Sequence, residues 1–270
     1  MNKVDFKKID IGFGRMAEIY DANETDNNVI KIMRTKFRSL VIDTFPPPAQ
    51  MLEINCGSGL DAHYFAGKGY NVLATDISEE MINSAVRKSH LSNLQFAQLN
   101  YNELEKLNGA KFHCIISNYG GLNCTDNIFP MSKKISDLLY PGGCFIAAIM
   151  PRFFLWEFLL LFKGEFKRAL RRIKPGGTYA NIGSEKIFVR YYSPRFIIKA
   201  FKKEFYPVKT NALRILAPPS IADYWYSKFY KLSKLLERID NLLEDFYPAA
   251  FMCDYYILVL KKKSTSSAVD

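Results

Sequence analysis

The sequence predicts an α/β fold, a mostly parallel sheet with helices on both faces. Three observations carry this. Short apolar runs alternate with helix-patterned runs as far as residue 150. Prolines and glycines punctuate the junctions, as at Pro46-Pro47-Pro48, Gly69 and Pro141-Gly142-Gly143. A glycine-rich turn, CGSG, joins the first apolar run to the helical pattern after it.

In order, the polar stretch DANETDNN reads as a loop or helix start, and VIKIMRTKFRSLVIDTF then carries apolar residues at helical spacing up to the three prolines. Met51 to Ile54 is a first strand, running into the glycine turn, and residues 60–68 resume a helix that Gly69 stops. Asn71 to Ala74 is a second strand, ending at Thr75-Asp76. Ser78 is placed to cap the next helix, with Glu79 and Glu80 in the first turn, where the helix dipole favours acids. Leu94 to Leu99 and Phe112 to Ser117 are the third and fourth strands. A helix over Met131 to Leu139 and a fifth strand, Cys144 to Met150, follow. Beyond residue 150 the alternation breaks. Residues 153–173 have the pattern of one or two amphipathic helices interrupted at Gly164, and Lys186 to Tyr192 is strand-like. Pro194 to Lys203 and residues 220–246 are helical, and Tyr255 to Leu260 is a last strand. The polar end, residues 261–270, is expected to be a flexible tail.

Composition bounds the function. Apolar residues make up 49% of the 270-residue chain, enough for a substantial core. The longest apolar run, FFLWEFLLLF at 153–162, is interrupted by Glu157 and too short to span a bilayer. The N-terminal residues lack the apolar stretch of a secretory signal, so a cytoplasmic protein is expected. Five scattered cysteines without a C-x-x-C pair suit reduced thiols, and the three histidines lack metal-ligand spacing. Charge is uneven. Residues 1–150 hold 15 Lys and Arg against 16 Asp and Glu, whereas residues 151–270 hold 22 against 11. A basic second half points to an acidic partner: a phosphate-bearing substrate, a nucleic acid, anionic lipid or an acidic carrier protein.

The chemistry-bearing constellation is LEINCGSG, Leu52 to Gly59. A strand must turn sharply into a helix there while a ligand approaches the backbone, and glycines permit both. Asp76 follows 17 residues after Gly59, at the end of the next strand, where a carboxylate can accept hydrogen bonds from both hydroxyls of a ribose. The spacing is not the G-x-G-x-x-G of dinucleotide enzymes but Glu53-x-Asn55-x-Gly57-x-Gly59.

That spacing resembles motif I of the class I S-adenosylmethionine-dependent methyltransferases. The resemblance continues through residues 69–86, 98–104, 115–123 and 138–150, and covers roughly residues 13–150. It implies a Rossmann-like, mostly parallel seven-stranded sheet, with helical insertions in the C-terminal half, and S-adenosylmethionine as cofactor. Residues 1–150 would form the cofactor-binding core with an N-terminal helical cap. Residues 151–260 would supply the end of the sheet plus insertions covering the acceptor. Carried over residue by residue, the resemblance places Glu53, Asn55, Cys56, Gly57 and Gly59 around the methionine end of the cofactor, and Asp76 on the ribose. Ile77 and Met81 would lie near the adenine, Asn100 would face its amino group beside Tyr101, and Tyr20, in MAEIYDAN, would close over the site. Asn118 would line the transfer site with Tyr119. Two positions depart from the family pattern. Asn55 replaces a glycine, and it is the non-glycine residue most tolerant of left-handed backbone. Asn100 replaces a common Asp, and its carbonyl can accept the same hydrogen bond.

Methyl transfer from a sulfonium needs mainly alignment and exclusion of water, so no catalytic residue is assigned. His63 and His113 are the candidate bases. The fourth strand is followed by SNYGGLN rather than the D/N-P-P-Y/F of amino-methylating enzymes of nucleobases, which argues against such a role. Residues 151–172 and 191–201 resemble bacterial small-molecule methyltransferases. The expected acceptor is a small or lipid-like metabolite, anionic or carrier-bound, with an acidic carrier protein or a peripheral membrane contact engaged by the basic half. RNA methylation and a non-catalytic binding role are the alternatives. Phe153, Phe154, Leu155, Trp156 and Phe158 are expected to shield the reaction, and Arg168, Arg171 and Arg172 to face outward.

Overall fold

The computed structural model describes residues 4–17, 21–22, 26–125 and 127–264. Helices precede the first strand. Helix α1 spans Phe6–Gly14, capped by the Asp5 carboxylate accepting from the Lys8 amide. Helix α2 spans Asn28–Thr44 and is capped by the Asn27 side chain accepting from Ile30. It buries Val29, Met33, Phe37 and Val41, four-residue spacing that forms one apolar stripe. The prolines stop it before strand β1, Gln50–Ile54.

Alternation then proceeds as read from the sequence. Helix α3 is Leu60–Gly67, β2 is Asn71–Asp76, and α4 is Glu79–Arg87 with Ser78 as its cap. Strand β3 is Leu94–Gln98, β4 is Phe112–Ser117, α5 is Phe129–Leu138 and β5 is Leu139–Ile149. Two short helical turns follow, α6 at Leu155–Phe158 and α7 at Phe166–Ala169, with a 3-10 turn at Leu159–Lys163 ending on Gly164. Strands β6 (Thr178–Ile182) and β7 (Glu185–Val189) form a ribbon. Helix α8 (Pro194–Phe201), strand β8 (Phe205–Leu213), helices α9 (Asp223–Lys228) and α10 (Tyr230–Leu243), and strand β9 (Tyr255–Lys262) complete the chain.

The main sheet has seven strands in the order β3-β2-β1-β4-β5-β9-β8. Strands β1 to β5 are mutually parallel where paired, and β9 runs antiparallel to both β5 and β8. Side chains alternate between the two faces. Leu52, Ile54, Ile115 and Phe145 meet α5 and α8 through Ile135 and Phe201 on one side. Met51, Val72, Cys114 and Ile116 meet α2 and α3 through Phe37 and Phe65 on the other. The chain winds outward from β1 through β2 to β3, then returns to β4, so the strand order reverses between β1 and β4. Ligands bind at such a switch point, beyond the carboxyl ends of the strands.

Two expectations about strands are corrected. The strand expected at Lys186 to Tyr192 exists as β7, but it pairs only with β6 and lies outside the main sheet. The seventh strand is instead β8, and its polar, half-exposed edge pattern with Pro207 hid it. The expected tail also begins too early, because Lys261 and Lys262 pair with Tyr206 and Phe205 in the sheet.

Candidate active site

The turn after β1 is built from alternating left-handed residues: Asn55 at φ 60°, Gly57 at 55° and Gly59 at 79°. Asn55 therefore adopts the conformation that its glycine-like position demands. Its carboxamide donates to the Ser117 hydroxyl at 3.1 Å and rests against Gly121, where an added Cβ would come within 2.4 Å of it. The asparagine thus fills space that a second glycine leaves open. Gly57 donates its amide to Asp76 Oδ2 at 2.8 Å, and Ser78 donates to Oδ1 at 2.9 Å. These bonds fix the Asp76 carboxylate at the end of β2. Burial nevertheless raises its pKa, the amide hydrogen bonds opposing only in part.

Above this edge lies a cavity of about 350 Å³. Glu53, Asn55, Cys56, Gly57, Asp76, Ile77, Met81, Tyr101 and Asn118 all line it, so nine of the expected residues converge on one space. Gly59 does not. A Cβ there would meet the Phe96 ring at 2.8 Å, so this glycine serves helix–sheet packing. Asn100 does not line the cavity either. Its side chain accepts from the Asn102 amide at 2.9 Å and caps the turn at Tyr101–Leu107. Tyr20 lies outside the described residues. The Tyr101 hydroxyl donates to the Cys124 carbonyl at 2.9 Å. Burial pushes the Cys56 thiol well up, which keeps it neutral.

The floor is strongly charged. Asp61 on α3 accepts from Arg34 at 2.5 Å, from Arg38 at 2.7 Å and from Asn118 at 2.7 Å. The Arg34 guanidinium stacks on the Tyr119 ring at 4.6 Å. Tyr119 itself sits at φ 45°, a conformation that costs energy for a tyrosine and is held by its surroundings. Glu53 is 2% exposed, and its Oε2 has no hydrogen-bond partner. Burial, then the nearby Asp61, raise its pKa well above the carboxylate range, against the pull of Arg34 and Arg38.

The roof comes from residues that the sequence reading did not name for the site, on α1 within the N-terminal cap region and in the half beyond residue 150. Phe6, Ile9 and Phe13 of α1 line the cavity, as do Ala180, Ile182 and Val189 of the ribbon, with Tyr191 and Tyr255. An Arg15 hydrogen bond to the Ser184 hydroxyl ties α1 to the ribbon turn. The signal for α1 was present in the apolar 3- and 4-residue spacing of Phe6, Ile9 and Phe13. The C-terminal shield is corrected too. None of Phe153, Phe154, Leu155, Trp156 and Phe158 lines the cavity. Trp156 instead donates to the Leu216 carbonyl at 3.0 Å.

The three arginines also divide. Arg168 faces outward, paired with Glu165. Arg171 lines the cavity and holds Glu157 by two bonds, at 2.7 and 2.6 Å. Arg172 is 4% exposed, bonded to Glu157 and to Asp254, with Phe154 and Tyr191 beside its guanidinium. Burial disfavours the Glu157 carboxylate, but the Arg171 hydrogen bond and both positive charges outweigh this and lower its pKa. His63 bonds the Ala85 carbonyl and His113 accepts from the Gln50 amide; neither lines the cavity.

A mostly parallel sheet with a left-handed glycine turn, a carboxylate at the next strand end and a cavity over both is the arrangement of nucleotide-binding α/β folds. Residues 51–143 match the family described as a methyltransferase domain. No curated protein matches the chain. Among solved structures, it is similar to an S-adenosylmethionine-dependent methyltransferase from Mesorhizobium loti, at 13% identity and a TM-score of 0.56, over 84% of this chain and 96% of that one. It is similar to a 1,6-didemethyltoxoflavin-N1-methyltransferase from Burkholderia thailandensis, at 17% identity and 0.52, over 93% and 88%. It is likewise similar to an N-methyltransferase from Bradyrhizobium japonicum, at 12% identity and 0.53, over 88% and 89%. Residues 51–143 thus carry a methyltransferase domain, and the fold is the one these S-adenosylmethionine-dependent enzymes share, which implies S-adenosylmethionine as cofactor.

The residues present fit that cofactor. The unpartnered, buried Glu53 oxygen in the cavity wall suits a cationic amino group, and the fixed Asp76 carboxylate retains lone pairs for hydroxyl donors.

Proposed function

We propose that this chain methylates a small or lipid-like metabolite in the cytoplasm. One observation carries the reading. The cavity wall includes Tyr119, Met150, Ile182, Val189, Tyr191 and Tyr255, drawn from elements far apart in sequence. Such walls suit a compact, largely apolar acceptor and exclude water from it.

When bound, S-adenosylmethionine supplies a methyl group already activated for displacement at carbon. Glu53 would hold the amino group of its methionine end, and Asp76 the ribose. Ile77 and Met81 would flank the base, and Asn118 would orient Asp61 beneath them. The three tyrosines would then hold the acceptor in line and keep solvent out.

An RNA acceptor finds less support. Arg171, Arg172 and Arg214, which contribute to the basic second half, are engaged by Glu157, Asp254 and Glu237 instead of lying free for phosphates. The test is mass spectrometry of a cell extract incubated with the protein and deuterated-methyl cofactor. Label in an organic-extractable small product supports the reading. Label in an RNase-sensitive fraction transfers it to RNA. Saturable cofactor binding with no transfer to any fraction points to a non-catalytic role.

A further inference from the structure

Residues 155–174 invert the usual polarity of a folded segment. Their Arg172 lies inside, bridging the largely covered Glu157 and the buried Asp254. Their large apolar residues lie outside: Phe162 is 85% exposed and Phe166 62%, and Leu159, Leu170 and Ile173 are exposed as well. The short helical turns of this segment pack on one another, so these side chains belong to one folded surface. Among them stand Lys163, Lys167, Arg168 and Lys174, all exposed. The single acid of residues 159–174, Glu165, is engaged by Arg168. Exposed apolar residues ringed by like charge are costly in water and mark an interaction surface.

We propose that residues 159–174 dock this protein on an anionic lipid bilayer. The charge decides between occupants. A second copy of this chain would bring a matching positive patch and be repelled, whereas an acidic lipid surface attracts the lysines and receives the aromatic rings between headgroups. Lysine and arginine stems can lie along the apolar surface while their heads meet the phosphates. Contact is peripheral, since among the described residues no helix is long and apolar enough to cross a membrane. Arg171 belongs to the same segment and reaches the cavity wall, which puts the bilayer beside the acceptor chamber. Delivery of a lipid-like acceptor through this contact rests on the function proposed above; docking itself does not.

The test is co-sedimentation of the full chain with phosphatidylcholine vesicles, with and without phosphatidylglycerol. Binding is expected to need the anionic lipid and to fall as salt rises, because the attraction is screened over about 8–10 Å. A Phe162→Ser/Phe166→Ser variant and a Lys163→Ser/Lys167→Ser/Arg168→Ser variant should each bind at least about tenfold more weakly. Affinity for S-adenosylhomocysteine should stay unchanged in both, which shows that they fold. Equal sedimentation of wild type and the double phenylalanine variant would overturn the proposal, as would no binding to either vesicle. Concentration-dependent dimers that the phenylalanine variant abolishes would also overturn it, by seating a second copy on the patch. Membrane binding without transfer to an organic-extractable product would leave docking standing and remove the lipid-like acceptor.

Discussion

Replacing Glu53 with glutamine should stabilise the ligand-free protein while weakening its hold on S-adenosylhomocysteine. The carboxylate sits at the end of β1 with one oxygen buried and unpartnered. Burial and the Asp61 charge raise its pKa well above the ordinary carboxylate range. An acid whose folded pKa exceeds its unfolded one favours the folded state while protonated. That contribution is lost as pH rises from the unfolded pKa through the folded one. At neutral pH the residue therefore costs stability, and an amide that cannot ionise removes the cost. Relieving an unsatisfied buried charged group is worth about 1–3 kcal/mol. The same substitution deletes a charge-assisted hydrogen bond to the ligand amino group, worth about 1.5–3 kcal/mol, or roughly 10- to 150-fold in affinity. Thermal unfolding without ligand gives the first quantity, and calorimetric titration the second. The wild-type advantage in affinity should grow with pH as Glu53 ionises. A variant that is less stable yet binds S-adenosylhomocysteine normally would refute the reasoning, because Glu53 would then be a structural residue.

Asp76→Ala should weaken S-adenosylhomocysteine by about 2–4 kcal/mol in calorimetry, through loss of two charge-assisted bonds. It should also lower the melting temperature, since Gly57 and Ser78 lose their acceptor. Gly121→Ala should destabilise the fold on meeting the Asn55 side chain, and Asn55→Gly should rescue it. Denaturation of the two single variants and the double variant measures the coupling, and strict additivity would contradict the contact. Arg172→Ser should cost about 3–5 kcal/mol, because Asp254 is left buried without its charged partner, while Glu157 keeps only Arg171. Arg168→Ser, on an exposed pair, should stay within about 0.5 kcal/mol in the same urea titration.

What the sequence disclosed was what is local. The strand, left-handed turn, helix and following carboxylate of Glu53 to Asp76 occupy one continuous segment, so spacing alone located most of the cofactor edge. Apolar alternation likewise located β1 to β5. Partnership over distance was not legible. Nothing in the text of residues 171 and 172 says that Glu157 and Asp254 take their charge, so arginines read as outward came out paired, one of them buried. Strand β7 has a convincing apolar run but pairs into a ribbon, whereas β8, with Pro207 and exposed polar residues, joins the main sheet because β9 offers it an edge. Asn100 shows the same limit at the site: its position fits a family role, yet its side chain is used locally as a helix cap.

The most direct test is a crystal structure of the chain with S-adenosylhomocysteine. The amino group should lie against Glu53 and the ribose on Asp76, with the sulfur facing the space between Tyr119, Tyr191 and Tyr255. A nucleotide bound elsewhere, or a sulfur sealed off from that space, would contradict the assignment of this cavity as the place of methyl transfer.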